Sequence, residues 1–172
     1  MDQGRLLPYL SDGTAGLLLA LIFAHVDEHV DFHLCYNDVL SLASDLGTPF
    51  MLEGSLMDGA AGLAVVLELT RRCFPEIADR VPEPGWNRIR KYLLPLGSGV
   101  GVFHPKSLKF DLSHSQGSAG ILEALLWLDG AAELNISGLR LGGAISFRSS
   151  TNSWRQPVQG VLSSDERASI VL

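Results

Sequence analysis

The sequence predicts an all-α fold assembled from repeated helix units, and three observations predict it. One short phrase occurs three times: Ser11-Asp12-Gly13-Thr14-Ala15-Gly16-Leu17, Met57-Asp58-Gly59-Ala60-Ala61-Gly62-Leu63 and Ser115-Gln116-Gly117-Ser118-Ala119-Gly120-Ile121, with the shared core Gly-x-Ala-Gly-[Leu/Ile]. Each copy opens an apolar run of helical length, Leu18 to Val26, Ala64 to Leu69 and Leu122 to Leu128. The first glycines of successive copies lie 46 and 58 residues apart, a period that marks an array of helix pairs.

The phrase has its own physics. Asp12 and Asp58 stand where a side-chain oxygen can accept from the free N–H groups of a helix start and where a negative charge suits the helix dipole. The pairs Gly13/Gly16, Gly59/Gly62 and Gly117/Gly120 strip the first turn of side chains, although each Gly costs about 1 kcal/mol of helix propensity relative to Ala. A packing reason is required, and the expectation is that the three helix starts converge on a crowded centre. Either the glycines serve close packing alone, or some copies also present polar groups to a substrate there.

Residues 1–10 read as a linker or the tail of an earlier element. The first helix is expected from Thr14 to about His29. Its face carries His25, His29 and His33 at steps of four; two such imidazoles can share a metal. Nothing like His-Glu-x-x-His is present, however, so a half-exposed helix end is the simpler reading and no metal site is assigned.

A second helix is expected from Tyr36 to Leu46, with Val39, Leu40, Leu42, Ala43 and Leu46 at helical spacing, Asn37 or Asp38 as cap, and Gly47-Thr48-Pro49 as stop. The third runs from Ala60 to Cys73. Phe74-Pro75 breaks it, and Arg71 and Arg72 sit in the last turn, where the dipole favours cations. Trp86 to Leu94 reads as a fourth helix stopped by Pro95. From Gly97 to Leu112 the alternation of Val100, Val102, Leu108, Phe110 and Leu112 predicts a short hairpin or extended loop near 99–112. The fifth helix spans Ser118 to Leu128, ended by Asp129-Gly130. Ile136, Leu139, Leu141 and Ile145 can dock one short element. The segment 135–172 otherwise reads as an irregular tail, its last 25 or so residues disordered.

The bulk numbers exclude some classes. The chain has 172 residues, about one domain, and 47% hydrophobic residues, enough for a core. A net charge of −6 argues against a nucleic-acid partner. Residues 1–60 hold nine acids against one base, and residues 61–172 hold ten acids and twelve bases. Cys35 and Cys73 form no Cys-x-x-Cys, which fits a reduced, cytoplasmic protein. The run from Ala15 to Val26 is interrupted by His25 and is too short to span a bilayer.

The phrases Tyr9-Leu10-Ser11-Asp12-Gly13-Thr14-Ala15-Gly16 and Asp111-Leu112-Ser113-His114-Ser115-Gln116-Gly117-Ser118-Ala119-Gly120 resemble the cyclase domain of lanthionine synthetases, the LanC-like family. The likeness is nearest to the zinc-free C-terminal cyclase domain of class III kinase–cyclase lanthipeptide synthetases and covers about residues 5–130. It implies an α/α toroid of about seven helix pairs. Residues 1–134 would supply the last three, and 135–172 the tail. It also implies an activity: Michael-type addition of cysteine thiols to dehydrated Ser or Thr in a precursor peptide, forming thioether rings.

In the zinc-dependent members one phrase carries Cys two places before its Gly, and the next carries Cys and His in the two places before its Gly. Here those places hold Ser11, Met57 and Asp58, so the zinc ligands are not present and no cofactor is expected. The third phrase also carries two extra residues between Asp111 and its Gly. Without zinc, the addition needs a general base and a group that stabilises the enolate. The candidates are Asp12, Asp58 and His114, with the helix-start N–H groups as a possible anion site; helix capping for the aspartates and a plain loop role for His114 are the competing readings. Three pairs cannot close a seven-pair ring, so the implied partners are the precursor peptide and the remainder of a larger synthetase or the missing toroid half, unless the gene product is truncated. The alternative from another class is a non-catalytic helical repeat scaffold that binds a peptide or protein partner.

Overall fold

The computed structural model describes residues 7–26, 35–47, 51, 53–84, 86–104, 109–131, 133–136 and 139–141. The chain is helix-rich. Its helices are α1 (Thr14–Val26), α2 (Tyr36–Asp45), α3 (Ala60–Cys73), α4 (Trp86–Arg90) and α5 (Ser118–Leu128), with a 3-10 helix at Pro75–Arg80.

The three phrase-led helices form the frame, with α3 packed against both α1 and α5. Over its first eight residues α3 is apolar all round: residues 60–67 are all buried, as are 69 and 70, so this part of the helix is walled in by neighbours. Its one interior polar side chain, Thr70, satisfies its hydroxyl by donating to the Val66 carbonyl at 2.8 Å. Helix α2 lies on α1, while the 3-10 helix and α4 lie on α3. Arg71 fixes the 3-10 helix by donating to the carbonyls of Ala78 at 3.0 Å and Val81 at 3.2 Å. Arg88 donates to the carbonyls of Leu46 at 3.1 Å and Gly47 at 3.2 Å, closing the C-terminal end of α2. Arg72 pairs with Glu68 at 2.6 Å, and its guanidinium lies 4.5 Å from the Trp127 ring centroid, joining α3 to α5.

The chain carries more strand than the one short hairpin or extended loop expected near 99–112. Helix α4 ends at Arg90 rather than Leu94, because Leu93–Leu96 forms strand β1, paired antiparallel with β2 (Gly99–His104) in the register Leu93↔Val102 to Leu96↔Gly99. The two residues left between the strands are Gly97 and Ser98, and Gly97 takes φ +55°, which suits a tight turn. Pro95, read as a helix stop, sits in an edge strand, where its missing N–H does no harm. Strand β3 (Lys109–Phe110) completes a three-stranded sheet, within the stretch where a hairpin or extended loop was expected. After α5 a second hairpin forms from β4 (Leu134–Ile136) and β5 (Leu139–Leu141), and Leu134 and Ile136 are buried. Among the described residues, α1 and α2 make a conventional helix pair, whereas the pieces that follow α3 and α5 are shorter.

Other boundaries also shift. Helix α1 is described to Val26, and the expected extension to His29 lies outside the described residues, as do His33 and residues 142–172. Helix α2 is capped by Cys35 with no side-chain hydrogen bond, so neither Asn37 nor Asp38 caps it.

Candidate functional site

Each phrase folds the same way. The loop before the glycines curls over the helix it feeds, and its carbonyls take the first helical N–H groups. Thr14 N–H donates to Leu7 at 2.8 Å, Ala60 to Glu53 at 3.0 Å, and Ser118 to Asp111 at 2.8 Å, always seven residues back. This wrap explains the glycines. A Cβ built on any of the six would lie under 3 Å from the carbonyl oxygen six residues earlier, for instance 2.6 Å from that of Glu53 at Gly59. The second glycines also admit the preceding unit: at Gly62 a Cβ would lie 3.3 Å from Leu10 Cβ, and at Gly120 3.0 Å from Leu56 Cβ.

The three helix starts are therefore neighbours, and main-chain bonds tie them in a row. Ser11 N–H donates to Met57 at 3.2 Å, and Met57 N–H donates to Ser115 at 3.0 Å; all three residues stand two places before the first glycine of their phrase. Leu10 N–H adds a second bond to Met57 at 2.9 Å.

The side chain of Ser11 and those one place further on, of Asp12, Asp58 and Gln116, form a polar row. The Ser11 hydroxyl donates to Asp58 Oδ1 and lies 3.1 Å from Asp12 Oδ1. Gln116 Nε2 donates to Asp58 Oδ2 at 3.2 Å. A hydroxyl has one proton, so Ser11 serves one carboxylate at a time. Asp58 is thus the common acceptor, held by a group from each flanking phrase, and is half-buried, while Ser11 and Asp12 are exposed.

Two expectations are corrected here. Asp58 is not a helix cap: Gly59 occupies that position with extended backbone, and no side chain caps α3. The helix-start N–H groups of Thr14, Ala60 and Ser118 are engaged by their own loops, so they offer no anion site. His114 is not part of the row. It is exposed, and its Nε2 pairs with Glu123 on α5. Asp12, Asp58 and the six glycines come together; His114 stands apart with Glu123.

The reading of the sequence missed Ser11 and Gln116 as the partners of Asp58. The signal was in the repeat. Gln116 holds the same offset from its glycine as Asp12 and Asp58, so a row at that offset followed from the phrases being adjacent.

The ring of His25 lies 4.8 Å from that of Phe74, centroid to centroid. Among the described residues no group of three or more His, Cys, Asp or Glu is placed to hold a metal ion, and no helix is long and apolar enough to cross a membrane.

Both cysteines are free, Cys35 exposed and Cys73 half-buried. Burial pushes the Cys73 thiol up to about 11, against a smaller pull from Arg72. Since the thiolate is the reactive form, Cys73 is less reactive at pH 8 than an exposed cysteine. Maleimide followed by mass spectrometry should modify Cys35 first and Cys73 at least tenfold more slowly, with the Cys73 rate rising as pH approaches 11. Equal rates at pH 8 would contradict the burial of Cys73.

Neither the scan against protein-family models nor the search of curated proteins gives a match to this chain.

Proposed function

We propose that this chain is the C-terminal part of a LanC-like lanthipeptide cyclase domain of the zinc-free kind, adding cysteine thiols of a precursor peptide to dehydrated Ser or Thr. The observation that carries the reading is the polar row, in which one side chain from each of three glycine-led helix starts meets at Asp58. A repeat that gathers polar groups at its helix starts has built a place for chemistry there, and the rest of such a toroid would stand on either flank.

In this reading Asp58 is the general base. Its carboxylate takes the proton from the peptide thiol. The sulfur then bonds to the β-carbon of the dehydro residue, and the π pair moves onto the carbonyl as an enolate. The proton returns from Asp58 to the α-carbon, so the addition balances with nothing left over. Ser11 and Gln116 are the neutral donors in reach of Asp58, and either can turn to the enolate oxygen. Asp12 is the second acceptor for the Ser11 hydroxyl. His114, paired with Glu123 away from the row, has no part in the step. The compartment that fits two unpaired cysteines and a thiol substrate is the cytoplasm.

The test is incubation of the full chain with a dehydrated, cysteine-containing precursor peptide, followed by thiol alkylation and mass spectrometry. Thiols should become protected faster than in peptide alone. Asp58→Asn should lower the rate by about a hundredfold or more, while His114→Ala lowers it less. Thiol loss no faster than the spontaneous reaction would sink the cyclase reading.

The second reading, a non-catalytic scaffold for a peptide or protein partner, is favoured by one observation. The glycines and the first helical N–H groups are fully explained by the wrapped loops. Saturable peptide binding without thiol consumption would select it.

A further inference from the structure

The stretch from Trp86 to Phe110 is set apart by its charge. It holds five bases, Arg88, Arg90, Lys91, Lys106 and Lys109, and no acid, while the other 147 residues hold all nineteen acids against eight bases. The same stretch carries the three-stranded sheet, and one face of that sheet is apolar and open. Gly101 pairs with Leu94. A Cβ built on Gly101 would run into Leu96 Cδ1 and lie 3.1 Å from Phe110 Cδ1, so the glycine lets side chains from both edge strands close over the middle strand. Leu94, Leu96 and Phe110 share this face and are 42%, 41% and 45% exposed; Leu112, just beyond β3, is 78% exposed. Arg90 and Lys91 stand just before β1 and Lys109 just before Phe110, all three exposed.

The sheet is rooted inside the row of units, between the second and the third. Tyr92 packs on Gly54 in the loop before α3, and Val102 N–H donates to the Ser118 hydroxyl at the start of α5, at 3.2 Å. From Phe110 the chain runs through Leu112 into the third phrase, whose Gln116 holds Asp58. The apolar face and the polar row therefore lie at the same end of the helices.

The chain's own segments do not supply the complement. Of those outside the described residues, 27–34 alone is net acidic, with three acids and no base; 142–172 holds three bases and two acids. Residues 27–34 are anchored beside His25 and Tyr36, whose rings meet Phe74 at the far end of α3. Eight residues reach about 15 Å out and back, whereas the 14 residues of α3 span about 20 Å.

We propose that this sheet face holds an acidic segment of a peptide substrate, its apolar side chains on Leu94, Leu96 and Phe110 and its carboxylates toward Arg90 and Lys109. That the occupant is a peptide rests on the proposed function, which brings one to the neighbouring row. The face and not the edge does the binding, since Pro95 removes a donor from β1.

The test is fluorescence anisotropy of the full chain with a short labelled peptide of Leu and Glu. Binding should saturate and should weaken as salt rises, because exposed charges are screened. Replacing Leu by Ser in the peptide, or Glu by Lys, should each lower affinity about tenfold or more. Phe110→Glu should do the same, and Leu112→Glu repeats the block at a more exposed site; unchanged urea midpoints establish that both variants fold. Lys109→Glu should flatten the salt dependence. Equal affinity for the three peptides, full affinity in both glutamate variants, or binding to phosphatidylserine vesicles in place of the peptide would each overturn the proposal. Anisotropy needs no thioether chemistry. A chain that protects thiols but does not bind the Leu and Glu peptide overturns this inference alone, and one that binds it without protecting thiols overturns the cyclase reading alone.

Discussion

Gly62→Ala should destabilise the chain by about 3 kcal/mol, although helix propensity alone predicts a gain of about 1 kcal/mol. The new methyl would lie against the Leu56 carbonyl and within 3.3 Å of Leu10 Cβ. Neither neighbour can retreat easily, since Leu56 is 0% exposed and Leu10 6% exposed. Relief requires the loop before α3 to shift, and that loop carries the Met57 bonds to both flanking units as well as Asp58. Urea unfolding of the variant measures the sign directly. A variant as stable as the wild type, or more stable, would show that the loop is not wrapped as described. Because the same shift disturbs Asp58, the thiol protection expected under the proposed cyclase function should fall along with stability.

Phe74→Ala should cost about 4 kcal/mol, an expected Tm loss on the order of 10 °C for a chain of this size. Phe74 is 0% exposed and ends α3, with its backbone N–H donating to Thr70 at 2.9 Å. Its ring meets His25 of α1 and, edge-on at 6.1 Å, Tyr36 of α2. One side chain thus pins three helices, and its removal leaves a void that none of them can fill alone. Phe74→Leu should recover roughly half of the loss. Calorimetry of the two variants checks the ordering, and an alanine variant that melts with the wild type would place Phe74 outside the core.

The helix frame could be read from the residues where local signals agreed. Helix α3 runs from Ala60 to Cys73 as expected, because the glycine pair starts it and Phe74-Pro75 stops it. The signals failed where short-range and long-range terms compete. Leu93 and Leu94 continue the helical spacing from Trp86, yet the Gly97-Ser98 turn and the pairing with Gly99–Val102 draw them into a strand. The site was half legible. Asp58 stood out as an acid at a helix start, and capping was its obvious local role; its actual partners, Ser11 and Gln116, are 47 and 58 residues away. Only the superposition of the three phrases links those positions, and no window on one helix contains it. His114 looked central because it precedes a glycine, but three places before the glycine is the offset of Leu10 and Leu56, which pack rather than join the polar row.

The tie between helix starts is built from peptide groups alone. Ser11, Met57 and Ser115 make it equally well, so the architecture is blind to what hangs from those Cα atoms. Evolution is then at liberty to vary that side chain without dismantling the scaffold. The place that holds a hydroxyl in the first and third phrases holds a thioether in the second, and the helix starts are joined all the same.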